Sequence, residues 1–141
     1  MIEVMRWPIR VTLLIIGLDL SIAIAIWGGL GETAAFLALI ITLVISIFFY
    51  GFTTLKVELK GDELKVARAQ IERKYLGRAI ALDERQMQEL RGPKINPNAF
   101  MAIRFWEKKG VQIMIEDDRD PTPYWIFSSK NPESFIAALK N

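Results

Sequence analysis

Between positions 11 and 55 the chain carries only two charged residues, Asp19 and Glu32. A stretch that long and that apolar has few ways to fold. Residues 11–30 form one run, interrupted only by Asp19, and residues 34–55 form a second with no charge at all. Each run is about 20 residues, enough at ~1.5 Å per residue to cross roughly 30 Å of hydrocarbon. Gly28, Gly29, Leu30, Gly31, Glu32 and Thr33 lie between them, which predicts a short glycine-rich turn and an antiparallel helical hairpin. Two other readings compete. A soluble buried hairpin fails on size, because residues 56–141 are too few to cover two helices that are apolar all round. A cleaved signal peptide has a charged start in Arg6 and Arg10 and an A-x-A form in Ala23-Ile24-Ala25. Its apolar region, however, would be too long, and an acid interrupts it.

The charge distribution then sets an orientation. Arg6 and Arg10 precede the first run and Lys56 and Lys60 follow the second, while the turn has neither Lys nor Arg. The positive-inside rule places both termini, Asn141 included, in the cytoplasm of a multi-pass protein of the plasma (inner) membrane. Trp7 and Trp27 stand near the ends of the first run, and Phe48, Phe49, Tyr50 and Phe52 cluster at the inner end of the second, as an aromatic belt does. This predicts residues 1–55 as a two-helix anchor and residues 56–141 as a cytoplasmic β-rich domain. The segment 54–141 is expected to fold alone.

Asp19 is the anomaly in this scheme. A carboxylate at mid-bilayer costs on the order of 2.5–3.5 kcal/mol on insertion scales, so it must face protein and find a partner. Counted outward from the turn, Thr42 and, one turn deeper, Ser46 are the polar groups of the second run nearest its depth; Gly17 and Ser21 flank it. The preferred reading is a hydrogen-bonded contact to Thr42 or to another subunit that holds helices together. The competing one is a proton or cation relay, which ordinarily needs several ionisable groups.

The tail opens with the strongest local signal. In "KVELKGDELKV" two alternating segments flank Gly61-Asp62, a two-residue type II′ hairpin turn. That register sets Lys60 opposite Glu63, Leu59 opposite Leu64, Glu58 opposite Lys65 and Val57 opposite Val66, so charges complement on one face and apolar residues share the other. Further strands are expected at 70–76 and 78–82, and a short helix in "LDERQMQELRG". "AFMAIRFW" and "VQIMIE" read as a second hairpin around Lys108-Lys109-Gly110, with Gly110 left-handed, pairing Phe105 with Ile113 and Ile103 with Ile115. "PYWIFSS" is a seventh strand. Asn131 caps a last helix opening at Pro132, with Phe135, Ile136 and Leu139 in one stripe. The fold class is α+β: a transmembrane helical hairpin, then a small antiparallel half-barrel of pleckstrin-homology-like order closed by a C-terminal helix. Such folds bind headgroups or peptides, so the order fixes no function.

Taken with the hairpin, "RWPIR", "VELKGDELKV", "ALDERQMQELRGPKINPNAF" and "DPTPYW" give the chain a family likeness. It resembles an uncharacterised family of small two-span membrane proteins of high-GC Gram-positive bacteria, a domain of unknown function. The resemblance implies membrane location and lineage, and no reaction.

Composition excludes much chemistry. The chain has no Cys and no His, which removes disulfides, thiol nucleophiles, Cys/His zinc sites and His general bases. No nucleophile–base pair is visible, so no enzyme is expected, and no cofactor or metal. No Lys/Arg run points to nucleic acid. "EDDRD", residues 116–120, offers four carboxylates for Mg²⁺ or Ca²⁺ but lacks the spacing of a calcium loop, so a solvated turn is preferred. Pro121 and Pro123 precede Tyr124 and Trp125, one of which is expected to face the core and the other outward as an aromatic edge for a partner peptide. Arg68, Arg73, Lys74 and Arg78 form a candidate surface for anionic headgroups, at about 1 kcal/mol each, interrupted by Glu72. The expected function is a non-catalytic binding module or accessory subunit, facing a protein partner or anionic lipid. Its expected partners are the bilayer and a larger membrane complex or further copies of itself. The alternative is an ion- or lipid-handling protein using Asp19 in an oligomeric bundle.

Overall fold

The structure is a computed structural model that describes residues 1–140; the expectation for Asn141 lies outside the described residues. The chain divides into two compact units. One is residues 6–54, and the other joins Met1–Met5 to everything from Leu55 onward.

The first unit is two helices, α1 (Ile9–Leu30) and α2 (Glu32–Thr53). Both are long and apolar enough to cross a membrane. The expected six-residue turn is in fact a single residue. Gly28 and Gly29 stay inside α1, and Gly31 alone breaks the helix, at φ +87°, a backbone state that glycine adopts without a Cβ penalty. Continuing α1 to Leu30 leaves fewer backbone groups unpaired: the Gly31 N–H donates to the Trp27 carbonyl and the Gly31 carbonyl accepts from the Ala35 N–H. Glu32 then sits in the first turn of α2, where its charge suits the helix dipole. At the open end the Trp7 indole N–H donates to Thr53 Oγ1 at 2.7 Å, and its ring meets Tyr50 edge-on at 5.4 Å. Across both helices the one buried residue is Asp19.

The second unit starts with a strand that the sequence did not announce, β1 (Ile2–Met5). It pairs antiparallel with β2 (Leu55–Lys60), Met5 opposite Leu55 and Ile2 opposite Glu58. The hairpin is thus the loop between two neighbouring strands, and the expected boundary at 55/56 cuts this sheet. β3 (Glu63–Val66) follows in the expected register, all four pairs included, with Gly61 alone of the turn pair at positive φ. The charged pairs nevertheless do not close across the strands. Lys56 bonds Glu58 at 2.9 Å along its own strand, and Lys65 reaches Glu63 at 3.8 Å. β4 (Ala69–Glu72) completes a sheet of order β1-β2-β3-β4.

A 3-10 turn at Arg73–Tyr75 cuts the expected 70–76 strand short and leads to β5 (Leu76–Leu82). Helix α3 (Glu84–Arg91) starts in a capping box: Asp83 Oδ1 accepts the Gln86 N–H at 2.8 Å, and Gln86 Oε1 accepts the Asp83 N–H at 2.9 Å. β6 (Phe100–Ala102), β7 (Gly110–Ile115) and β8 (Tyr124–Ser128) give a second sheet of order β5-β7-β8-β6. The expected second hairpin does not form. β7 pairs with β5 and β8, setting Ile113 opposite Ala79 and Trp125, while β6 runs parallel to β8. The cause lies beyond Ala102, where Arg91 donates to the carbonyls of Arg104 and Glu107, a tight turn closes between those two residues, and Phe105 is left exposed. Gly110 is not left-handed. It opens β7 beneath α3, where a Cβ would lie 2.7 Å from Met87 Sδ and from the Phe127 carbonyl oxygen.

Among the described residues, eight strands with one parallel pair therefore stand where seven antiparallel ones are expected. The main core joins Met5, Leu55, Val57, Leu64 and Val66 of the first sheet to Val111, Ile113, Trp125 and Phe127 of the second. Helix α4 (Pro132–Lys140) adds Phe135, whose ring meets Phe127 at 5.2 Å, with Ile136 and Leu139 packed beside it. A smaller cluster of Leu82, Met87 and Ile126 lies under α3.

Because Met5 is fully buried, residues 54–141 lack part of their own core. Met5→Ala is expected to cost about 2–5 kcal/mol. A chain joining Met5 to Leu55 through an Asn-Gly turn should melt cooperatively by circular dichroism, whereas the 54–141 fragment should melt far lower or without cooperativity. Equal melts for the two would mean that β1 contributes nothing to the core.

Candidate functional site

Asp19 is 5% exposed on a helix whose other side chains are exposed or half-buried. Its two carboxylate oxygens share one donor, the Ser46 hydroxyl, at 3.0 and 3.3 Å. Thr42 is turned to its own helix and donates to the Leu39 carbonyl at 3.2 Å, and Ser21 donates to the Gly17 carbonyl at 2.8 Å. The choice of Ser46 over Thr42 follows from side-chain direction. Side chains lean toward the N-terminus of their helix. In this hairpin Asp19 therefore leans away from Gly31 and Ser46 leans toward it. Asp19 meets a residue farther from the turn than a simple count of positions suggests.

The contact sits in the seam of the hairpin, beside a cleft of about 190 Å³. Thr12, Ile15 and Ile16 line it from α1, Leu43 and Ile47 from α2, and Trp7 and Tyr50 from the open end. No second carboxylate and no cation lines it. Chemically, the arrangement is one acceptor and one donor enclosed by hydrocarbon, a set suited to holding two helices together.

The basic and aromatic candidates of the tail do not assemble into one surface. The Arg73 guanidinium is spent on the last turn of α4, donating to the carbonyls of Ala138 and Leu139. Lys74 pairs with Glu72 at 2.7 Å and lies 4.8 Å from the centre of the Tyr75 ring; the Glu72 bond pushes its ammonium pKa upward. Arg68 is exposed in the turn between β3 and β4. Arg78 is exposed on β5. Trp125 is 5% exposed and packs on Phe100 at 4.8 Å between ring centres. Tyr124 faces the other way, as alternation predicts, but is half-buried against the cluster under α3. Both edges of β8 are occupied, by β7 and β6, so these two rings form no open edge for a peptide.

"EDDRD" is a self-paired turn. Asp117 accepts from the Arg119 side chain at 3.0 and 3.1 Å, and Arg119 also reaches the Tyr75 hydroxyl at 2.7 Å. Arg119 holds the Asp117 carboxyl below the usual range. Among the described residues no group of three acids stands ready for a metal ion.

One polar group escaped the sequence altogether. Glu3 is buried, its Oε2 accepting from Ser129 Oγ at 2.8 Å and from the Lys130 N–H at 3.3 Å, while Oε1 has no partner. Burial pushes the nearby Glu107 carboxyl up, and the charge of Glu3 adds to the shift against the opposing pull of Lys130. The only hint was alternation in "MIEVM", which sets Glu3 on the same face as Met5.

With these features placed, comparison with known proteins adds one fact. A family model described as "Protein of unknown function (DUF3093)" matches residues 2–139. The chain belongs to the DUF3093 family. The match spans β1, both helices and the two sheets, so the hairpin and the β unit are one family architecture. No curated protein and no solved structure matches the chain.

The Asp19–Ser46 bond can be isolated by a double-mutant cycle in detergent micelles. Asp19→Leu and Ser46→Ala are each expected to loosen helix association by about 1 kcal/mol, with a coupling of ~0.6–1.7 kcal/mol, while Asp19→Asn should be nearly neutral. Strict additivity of the two substitutions would contradict the contact.

Proposed function

We propose that this chain is a membrane-anchored, non-catalytic binding module whose β unit serves a protein partner on the cytoplasmic side. One observation carries the reading. β1 precedes the helices, β2 follows them, and the two hydrogen-bond side by side. The helices are therefore a two-span excursion from a β ladder, and both strands must lie on the same side of the bilayer. Only residues 6–8 separate β1 from α1, and only Thr54 separates α2 from β2, so the module is tethered without a free linker.

Two further features support the membrane part. The helices leave most of their apolar side chains exposed, which argues against core helices of a soluble fold. A signal peptide fits poorly, because cleavage at residues 23–25 would remove β1 and the buried Met5. The cytoplasmic side follows from Arg6, Arg10, Lys56 and Lys60. The pleckstrin-homology-like half-barrel belongs to this proposal too, supported by two four-stranded sheets that share one core with a C-terminal helix.

A protein partner is favoured over lipid because Arg73 is bonded to the carbonyls of α4 and the exposed Lys74 is paired with Glu72, which takes up half of the candidate headgroup surface. The ion-handling alternative is weakened by the partner of Asp19, which comes from the same hairpin and not from a second copy.

A chimera with an unrelated two-span hairpin in place of residues 6–54 is expected to restore a deletion strain as well as the native chain does. Failure of a correctly inserted and folded chimera would move the function into the helices. Cysteine labelling is a clean companion because the chain has none. An impermeant reagent should reach Leu30→Cys in intact cells and miss Asp62→Cys, and the reverse pattern would overturn the topology.

A further inference from the structure

β5 is an edge strand. It hydrogen-bonds β7 on one side, and among the described residues the one other backbone hydrogen bond along it is at its start, where the Leu76 N–H donates to the Arg73 carbonyl. Open edges are templates for another chain and are normally blunted or covered. Here the edge borders a cleft of about 570 Å³ whose opposite wall is one face of α4. Its apolar lining is Leu76 and Ala79 from β5 and Ile136 and Leu139 from α4, all half-buried and packed on the main core. The wall is fixed in place, since Arg73 donates to the last carbonyls of α4.

Charge supplies the second half of the argument. Arg78 and Lys140 stand exposed on the cleft, and neither pairs with a carboxylate among the described residues. Lys56, Lys65, Lys74, Arg85, Lys94, Lys108 and Arg119 all do, whereas Lys60, Lys109 and Lys130 form no such pair either; what sets Arg78 and Lys140 apart is their place on the rim of one cleft. β5 also carries a bulge between Leu76 and Ala79, where it gains a residue on β7. Bulges re-aim side chains at working edges, and Arg78 lies within this one.

We infer that the β5–α4 cleft is a docking groove for an extended acidic segment of a partner protein, which adds as a strand to β5 and lays alternate apolar side chains between β5 and α4. Strand addition of this kind takes its affinity from main-chain hydrogen bonds and its specificity from side-chain pockets. The seven residues of β5 offer roughly 23 Å of edge, room for about six residues of ligand. The inference rests on the β unit being the protein-binding part and names the chemistry of the partner.

The test uses the full chain in nanodiscs of zwitterionic lipid, probed with a displayed library of random dodecapeptides. Enriched peptides should alternate apolar residues with Asp or Glu. The strongest, made synthetically, should slow amide exchange along β5. Arg78→Glu combined with Lys140→Glu should weaken its binding about tenfold, with a melting temperature lowered only slightly, since both side chains are exposed but Lys140 stands in the last turn of α4; Arg78→Gln should weaken it less. Peptides that bind without an acidic bias, or with no protection at β5 and no response to the charge reversals, would overturn the groove while leaving the module reading intact. No enrichment at all would count against both. Binding of phosphatidylglycerol vesicles that the double variant abolishes, with no peptide bound, would make the cleft a headgroup site and overturn the inference.

Discussion

The antiparallel ladder between Ile2–Met5 and Leu55–Lys60 is the constraint on which the rest of the molecule depends. It brings together two stretches of chain separated by both long helices. Without it the main core loses Met5, and the first sheet loses its outer strand. The same short segment reaches further through Glu3, whose carboxylate ties β1 to Ser129 and Lys130 at the corner between β8 and α4. Five residues at the start of the chain thus bind the first sheet by backbone and the last helix region by a side chain. A buried acceptor of this kind is costly when unpaired, so it fixes the place of β1 more sharply than its apolar neighbours do.

The helical unit obeys a different economy. Its apolar side chains are exposed, and its internal order rests on a few polar contacts: Asp19 with Ser46, and Trp7 with Thr53. On the membrane-anchored reading proposed above, hydrocarbon offers little apolar gain from bringing two helices together, so packing and interhelical hydrogen bonds decide. Each contact is worth only about 1 kcal/mol, but the hairpin does not depend on them alone. Its ends are also tied through the Met5–Leu55 pair, which keeps the two chains side by side where they leave the sheet.

Much of this was legible in the residues, for physical reasons that differ from element to element. The hairpin could be read because composition alone distinguishes a long apolar run. The β2–β3 register could be read because Gly61-Asp62 fixes the turn and the cross-strand pairs agree with it. The capping box at Asp83 and Gln86 and the stripe on α4 are local patterns of the same kind. What failed was non-local. β1 is four residues whose partner lies beyond the helices, and no local signal announces such a pairing. β6 looked like half of a hairpin, yet its continuation is drawn off by the Arg91 guanidinium and its edge is taken up by a parallel neighbour. Tyr124 and Trp125 alternate as expected, but β8 is central and covered on both faces, so alternation separates two packed clusters and not core from solvent. Of the candidate cations, only geometry could show that Arg73 serves α4 while Arg78 stands on an open cleft.

The most direct test of the β1–β2 ladder is a cross-strand disulfide. Val4 and Lys56 are register partners, and the chain has no cysteine of its own. Paired Cα atoms in an antiparallel ladder lie about 4.5–5.5 Å apart, within the reach of a disulfide. The full-length Val4→Cys, Lys56→Cys chain in detergent should oxidise within one molecule to near completion and keep its melting transition, while Val4→Cys with Asp62→Cys should not. Free thiols in the first variant under oxidising conditions, or crosslinks only between molecules, would show that the N-terminal strand does not close the sheet across the hairpin.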